Sequence, residues 1–549
     1  MLEDLDLNSI TDDRARELVR RLLNVLEDVM ADLRAAQAEN QRLCDEINRL
    51  KGEQGRPKVR SNTPQPPSTD HSSEQARRKP NAWAKGRKTD RIPIDREQVV
   101  AVDPACLPPD AVFKGYEDVV VQDVIFRTDN VLFRKEKCYS PSQHQTYLAS
   151  LPQGYSGQFG PGIKSLALVF YFGAQLSEPK VAELWRSIGV QISDGQVSNR
   201  LIKNQDGFHA EKDALYQAGL ARSPWQHLDD THTRVHGQNG YCHMLCTPLY
   251  TAYFTTEAKD RLTVMDVRTN HRPRRFLSNA EALGFLETLG RSAVRRRQLA
   301  PLPCEVRMDA ATMQALLEAH LPGLGPQQRK WLLDATAVAA YHADLEFPVV
   351  RLLVCDDAPQ FTLVTAELAR CGVHEGRHYK KLVPYVPHHR ALVENFVQRF
   401  WTYYDQLLAY GEQPTPAEAA RLDREFEALF TTVTGYRALD ERIAKTHAKK
   451  VCLLMVLAHP EIPLHNNPAE LGARARVRTR DVSFGPRTRE GAKAWDTFMT
   501  LAGTARKLGV SFYRYIPDRV SGACQMPALA DLIAERAKDL NLGVSWDTS

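Results

Sequence analysis

The segment WQHLDDTHTRV, from Trp225 to Val235, constrains this chain more than any other. Its β-branched and aromatic residues read as a strand, and it holds two adjacent carboxylates, Asp229 and Asp230. The segments YCHMLCTPLYTAYFTT and RLTVMDV that follow also read as strands, and the three together predict an antiparallel meander. Phe276 to Leu289 then reads as a helix. Pro348 to Cys355, PVVRLLVC, reads as a buried strand that ends in a second acidic pair, Asp356 and Asp357.

An acid in a first strand, another at the end of a later strand, and β-β-β-α-β order form the arrangement of RNase H-like nucleases. The expected fold class is therefore an α/β RNase H-like catalytic core. Such a core needs acids because two divalent ions clamp an in-line phosphoryl displacement, one activating the nucleophile and one stabilising the leaving oxygen. Hard Mg²⁺ takes oxygen ligands, so carboxylates suit it better than His or Cys. Two later glutamates compete for the third position. Glu394, in HHRALVENFVQRFW, lies 38 residues after Asp356, and its plainer reading is an exposed acid beside the stripe Val393, Phe396, Val397 and Phe400. Glu470 lies 114 residues after Asp356. Its plainer reading is an i,i+4 salt bridge with Arg474. On a helix, however, Glu470, Arg474, Val477 and Arg478 share a face, which would offer one metal ligand with cations for a DNA phosphate.

The N-terminal part carries its own signals. From Val19 to Leu50 apolar residues recur every three or four positions, with Val19, Leu26, Leu33, Asn40 and Ile47 at one heptad position, the pattern of a coiled coil. Residues 53–97 break this order with Pro, Ser and Gln and then gather Arg77, Arg78, Lys79, Lys85, Arg87 and Lys88 around Trp83. That stretch reads equally as a phosphate-tracking arm and as a solubilising linker. Residues 98–150 read as short strands through VVVQDVIF and NVLFRKEKCY, and Cys106 and Cys138 lack partners at zinc spacing. Between Leu176 and Asn204 a helix–turn–helix is expected, with Gly189 in the turn and Ser193 as N-cap. Gln196, Asn199, Arg200 and Lys203 would then face outward, as residue types that meet bases and phosphates.

Several motifs resemble a known family. Asp-x-Thr at Asp229–Thr231 and Asp-x-x-x-x-Phe at Asp356–Phe361 look like the first two acid motifs of DDE transposases and integrases. CGVHEGRHYKK, from Cys371, is similar to the Cys-Trp-x-His-x-Arg-Arg-Lys-Phe segment of the insertion sequence sixty-six family. LHNNPAELGARARVRTRDVSFG, from Leu464, resembles that family's Asp-Asn-Asn-x-x-Glu-Arg-x-x-Arg-Pro segment, whose glutamate is the last catalytic acid. GAKAWDTFMTLAGTARKLGVSFYRYI resembles its closing helix and tail. The chain departs from the pattern at Asp230 (commonly Glu), His465 (Asp) and Gly372 (Trp), and it lacks the zinc-binding cysteines often found in the family's N-terminal region.

The resemblance implies a DDE transposase that cleaves DNA and transfers strands at the ends of an insertion sequence. Asp229, Asp356 and Glu470 would be the catalytic acids and hold two Mg²⁺ ions, with Mn²⁺ as substitute. Glu394 is the runner-up third acid, and Arg474 and Arg478 join the expected DNA contacts. The implied partners are terminal inverted repeats, target DNA, further copies of the chain through the coiled coil, and accessory proteins of the element. A catalytically silent DNA-binding regulator and an RNase H-fold nuclease without strand transfer are the rival readings. The expected map is a coiled coil over 1–52, a basic linker over 53–97 and a DNA-binding region over 98–222. The core occupies 223–387 and 464–515 around a helical insertion over 388–463, and 516–549 form a tail. No apolar run reaches membrane-spanning length and the N-terminus MLEDLDLNSITDD is acidic, so a cytoplasmic protein is expected. The absence of a Gly-rich phosphate loop argues against ATP use, and Cys242, His243 and Cys246 read as strand packing rather than a metal site.

Overall fold

The computed structural model describes residues 7–51, 92–108, 110–155, 157–288 and 302–547. The basic stretch around Trp83 lies outside them. At the centre is a five-stranded sheet formed by β3 (Trp225–Val235), β4 (Gln238–Cys246), β5 (Thr251–Thr256), β8 (Leu352–Cys355) and β9 (Glu367–Arg370). Its order is β5-β4-β3-β8-β9, antiparallel through β3, β4 and β5 and parallel through β3, β8 and β9. Two smaller pairs lie outside it, β1 (Lys137–Ser140) with β2 (Gln145–Leu148) and β6 (Arg275–Leu277) with β7 (Arg307–Asp309).

Local chemistry fixes the register. β3 and β4 are joined by His236 and Gly237, both at positive φ (51° and 75°), the two-residue turn whose twist matches the strands it joins. All four residues of β8 are buried, as expected of a parallel strand covered on both faces. The outer edge of β5 is closed by a helix instead of a strand. In the helix Arg489–Lys507, Asp496, Thr500 and Thr504 follow one another at four-residue spacing. They accept the N–H groups of Thr255, Tyr253 and Thr251 at 2.6, 3.0 and 3.2 Å. Four residues of helix rise about 6 Å and two of strand about 6.6 Å, so the two ladders keep step.

That closure bears on RLTVMDV, which is a helix (Arg261–Arg268) and not the expected strand. The Asp260 carboxylate caps it by accepting the Thr263 N–H at 2.9 Å, and the sheet edge it would have joined is already occupied. VVVQDVIF also forms no strand. Val121 and Ile125 are 80% and 81% exposed, and no described segment pairs with this stretch. Burial and pairing, rather than β-branched composition alone, make a strand.

The first long helix, α1 (Asp13–Leu50), behaves differently along its length. Its first half docks on the chain near Val386 and Gly435. Buried Glu27 accepts the N–H groups of Tyr385 and Val386 at 2.8 and 2.7 Å, and the Asn24 amide donates to the Gly435 carbonyl at 2.9 Å. From Leu33 to Leu50 the apolar seam is exposed in this single chain.

The helices Glu178–Ser187 and Asp194–Ile202, the expected helix–turn–helix, share one apolar core with the sheet. Val181, Trp185, Val197 and Leu201 pack in the same cluster as Leu228, Met244 and Phe254. The expected boundary at 222/223 therefore does not coincide with a break in packing. Helices between Gly372 and Ala458 have a core of their own, built on Tyr379, Phe396, Phe400, Phe426 and Leu439. No helix among the described residues is long and apolar enough to cross a membrane.

Candidate active site

The sheet brings the first two acids together. In the parallel pair β3–β8, Trp225 lies opposite Leu352, Gln226 opposite Leu353 and His227 opposite Val354. Continuing that register by two residues sets Asp229 against Asp356, just beyond the end of β8. Both acids are two residues past a paired position, so they share one face of the sheet. Adjacent strands lie about 4.8 Å apart, close enough for two carboxylates to repel strongly.

Glu470, the expected third acid, occupies the first turn of the helix Asn467–Ser483, the end at which a helix favours negative charge. This helix runs alongside β3. Near its start the Asn466 amide donates to the Leu228 carbonyl at 2.8 Å; further on, Arg480 donates to the His232 carbonyl at 2.6 Å. Gly472 allows the close approach, because an added Cβ would lie 3.2 Å from Cγ of Met244, the residue opposite Asp229.

The surroundings of Asp229 raise its carboxyl. Burial first, then the charge of Asp356, with smaller contributions from Asp230 and Glu470, push its carboxyl up to about 7, although the Asp230 N–H pulls the other way. Asp356 is held by one oxygen, which accepts the Ala358 N–H at 3.0 Å. Glu470 faces His374 Nδ1 at 3.6 Å and Arg377 at 3.9 Å, both from the CGVHEGRHYKK segment, while Arg474 stands exposed on the surface. Cys371 Sγ, His374 and Glu470 lie within metal-binding reach of one another, their ligand atoms all within 4.8 Å. Burial pushes the Cys371 thiol up to about 11, and its sulfur accepts the Asn466 N–H at 3.3 Å.

One residue away the charge balance reverses. Asp357 pairs with Arg370 and Lys449, and buried Glu375 pairs with Arg442 and, at 3.1 Å, with Lys449. Burial, with Arg442 and Arg370 nearby, lowers the Lys449 ammonium to about 8. Asp357, Glu375 and His378 also lie within metal-binding reach of one another, but three cations already face these two carboxylates.

The remaining sequence candidates are dispersed. Glu394 is exposed on the helix Pro387–Glu412. Asn199 and Lys203 are exposed; Gln196 is half-buried, its side-chain oxygen accepting the Ser193 N–H at 2.9 Å in a capping box. Arg200 is half-buried, 5.3 Å over the Phe159 ring. Arg474 and Arg478 are exposed, whereas Arg476 between them is buried against Asp496 and Trp495. Sequence reasoning gave Asn466 no role of its own, although it lies in the segment LHNNPAELG that resembles the Asp-Asn-Asn-x-x-Glu motif. The Gly372 departure has a physical counterpart, because a Cβ there would lie 2.9 Å from the Tyr404 ring, which fills the space.

No family model matches the chain. No solved structure matches it. The uncharacterized protein y4jO of Sinorhizobium fredii (strain NBRC 101917 / NGR234) is 30% identical over 336 residues, covering 59% of this chain and 100% of that protein. With the whole of that relative covered, the chain belongs to the same family as y4jO.

Proposed function

We propose that this protein is a DDE transposase with an RNase H-like core, whose Asp229, Asp356 and Glu470 hold two Mg²⁺ or Mn²⁺ ions. The observation that carries the reading is the placement of Asp229 against Asp356 at the end of the parallel pair, where burial first and then the charge of Asp356 raise the Asp229 carboxyl, with a smaller contribution from Glu470 on a separate helix. Asp229 beside Asp356, with Glu470 close enough to add to the field at Asp229, suits a cation, although Glu470 lies within 4.8 Å of Cys371 and His374 rather than of the two aspartates. The Asp357–Glu375 group does not suit one, because Arg370, Arg442 and Lys449 already neutralise it. The sheet order, three antiparallel strands followed by two parallel ones, supports the same core.

When bound, the ions supply the positive charge that activates the attacking oxygen and stabilises the leaving one. Cations held there would favour the ionised form of Asp229, offsetting the burial and the charge of Asp356 that raise its carboxyl. The Asn466 anchor holds the first turn of the helix, and with it Glu470, against the strand of Asp229. Arg474 and Arg478, exposed on the same helix, are suited to hold DNA phosphates, as are Asn199 and Lys203 elsewhere. Water attacks a phosphodiester, leaving a 5′-phosphate and a free 3′-OH, and that hydroxyl attacks a target phosphodiester, forming a new one and releasing a target 3′-OH.

The test incubates the full chain with Mg²⁺ or Mn²⁺ and duplex DNA from the flanks of its own gene. Transposase activity predicts a cut that leaves a 3′-OH at one defined end, followed by joining to a second duplex. Cutting without joining supports the nuclease alternative. Specific binding without cutting, indifferent to both metals, supports the silent regulator.

A further inference from the structure

We infer that Asn466 is the positioning residue that holds Glu470 in register with Asp229, an inference that rests on the proposed metal site. Asn466 is fully buried and engages three separate parts of the chain. Its side-chain oxygen accepts from His227 Nδ1 at 3.0 Å, and its amide donates to the Leu228 carbonyl at 2.8 Å. His227 and Leu228 are the two residues immediately before Asp229. Its backbone N–H reaches Cys371 Sγ at 3.3 Å, at the start of the segment that carries His374 and Arg377, and its carbonyl accepts the Glu470 N–H at 3.1 Å. The neighbouring Leu464 carbonyl accepts the Gly372 N–H at 2.9 Å, a second tie to the same segment.

Asn466 stands at the N-cap position, yet its side chain makes no capping bond to its own helix. Both polar ends are turned to the strand of the first acid. An asparagine side chain carries both an acceptor oxygen and an NH₂ donor, and this site uses the oxygen once and one of the two N–H groups once. Aspartate would set an oxygen against the Leu228 carbonyl, and alanine would leave both strand groups without a partner. Glu470 lies one helical turn after Asn466, and Asp229 lies two strand residues after His227. The helix advances about 6 Å and the strand about 6.6 Å over those intervals, so fixing Asn466 to His227 brings Glu470 level with Asp229.

The experiment measures Mn²⁺ binding to the full chain by calorimetry alongside thermal melting. Asn466→Ala is compared with Thr500→Ala, which breaks a different buried side-chain bond to the sheet, Thr500 Oγ1 to the Tyr253 N–H at 3.0 Å. Asn466→Ala should weaken Mn²⁺ binding by at least about tenfold, the range for residues that orient metal ligands. Thr500→Ala should lower the melting temperature and leave the affinity unchanged. In a Glu470→Gln background the further effect of Asn466→Ala on affinity should vanish, because it acts through that carboxylate. If Glu470→Gln weakens binding and Asn466→Ala does not, the positioning role is overturned while the metal site stands. Equal loss of affinity in Asn466→Ala and Thr500→Ala also overturns it. Mn²⁺ binding that is absent, or indifferent to Glu470→Gln, overturns the metal site and this role together.

Discussion

Asp356 and Asp357 are neighbours in the chain and belong to opposite electrostatic regimes. Asp356, after burial, raises the Asp229 carboxyl, in a cluster whose cations, Lys259 and Arg377, lie beside the other two acids at 3.0 Å from Asp230 and 3.9 Å from Glu470. Asp357 joins Glu375 among Arg370, Arg442 and Lys449, where every carboxylate already has a cation. The alternation of side chains at the end of a strand is enough to send them to different surroundings. A neutralised cluster ties the segment after β9 to the helical unit and needs nothing further. An under-neutralised one is stable only with protons or added cations, which makes it suited to chemistry.

Substitutions can break or sharpen this contrast. The largest effect is expected from Glu470→Gln, which keeps shape and removes charge. DNA cleavage should fall by at least ~10³-fold, since charge stabilisation by metal is worth several kcal/mol. DNA binding should persist, measured by gel shift. In the other cluster, Glu375→Ala should act on stability, costing about 3 kcal/mol in denaturant unfolding, because Arg442 and Lys449 are left without their buried partner. A cleavage defect with unchanged stability would erase the distinction between the clusters.

A smaller effect is expected in pH dependence. The folded Asp229 carboxyl titrates at about 7, above its ordinary value of 3.8, so between those values the folded state holds more protons than the unfolded one. Its contribution to stability therefore falls as pH rises from about 4 to about 7 in metal-free protein. Asp229→Asn should flatten that slope in melting experiments, and Mg²⁺ should counter it in the unsubstituted chain. The smallest effect belongs to Glu394→Gln, an exposed helix acid, with stability within about 0.5 kcal/mol and cleavage nearly unchanged. Loss of cleavage there would move the third acid to the helix Pro387–Glu412.

Much of the sheet is legible in sequence because its signals are local. WQHLDDTHTRV and the buried apolar run ending at Cys355 form the strands β3 and β8, with an acid at each expected place. Seven residues of RLTVMDV fit a strand and a helix alike, and the choice is made by the Asp260 cap and by a helix more than two hundred residues later that closes β5. VVVQDVIF has the composition of a strand without a partner. The tie between Glu470 and Asp229 runs through Asn466, His227 and Leu228, contacts that no periodicity encodes. The outward reading of Gln196 and Arg200 overlooked a capping box and the Phe159 ring, both settled by packing.

The central claim is that the under-neutralised cluster, and not its neighbour, takes divalent cations. Anomalous diffraction from crystals of the full chain grown with Mn²⁺ tests it directly. Anomalous density is expected among Asp229, Asp356 and Glu470, lost on Glu470→Gln, and none at Asp357 and Glu375. Density at Asp357 and Glu375 alone, or none at either cluster at saturating Mn²⁺, would contradict it.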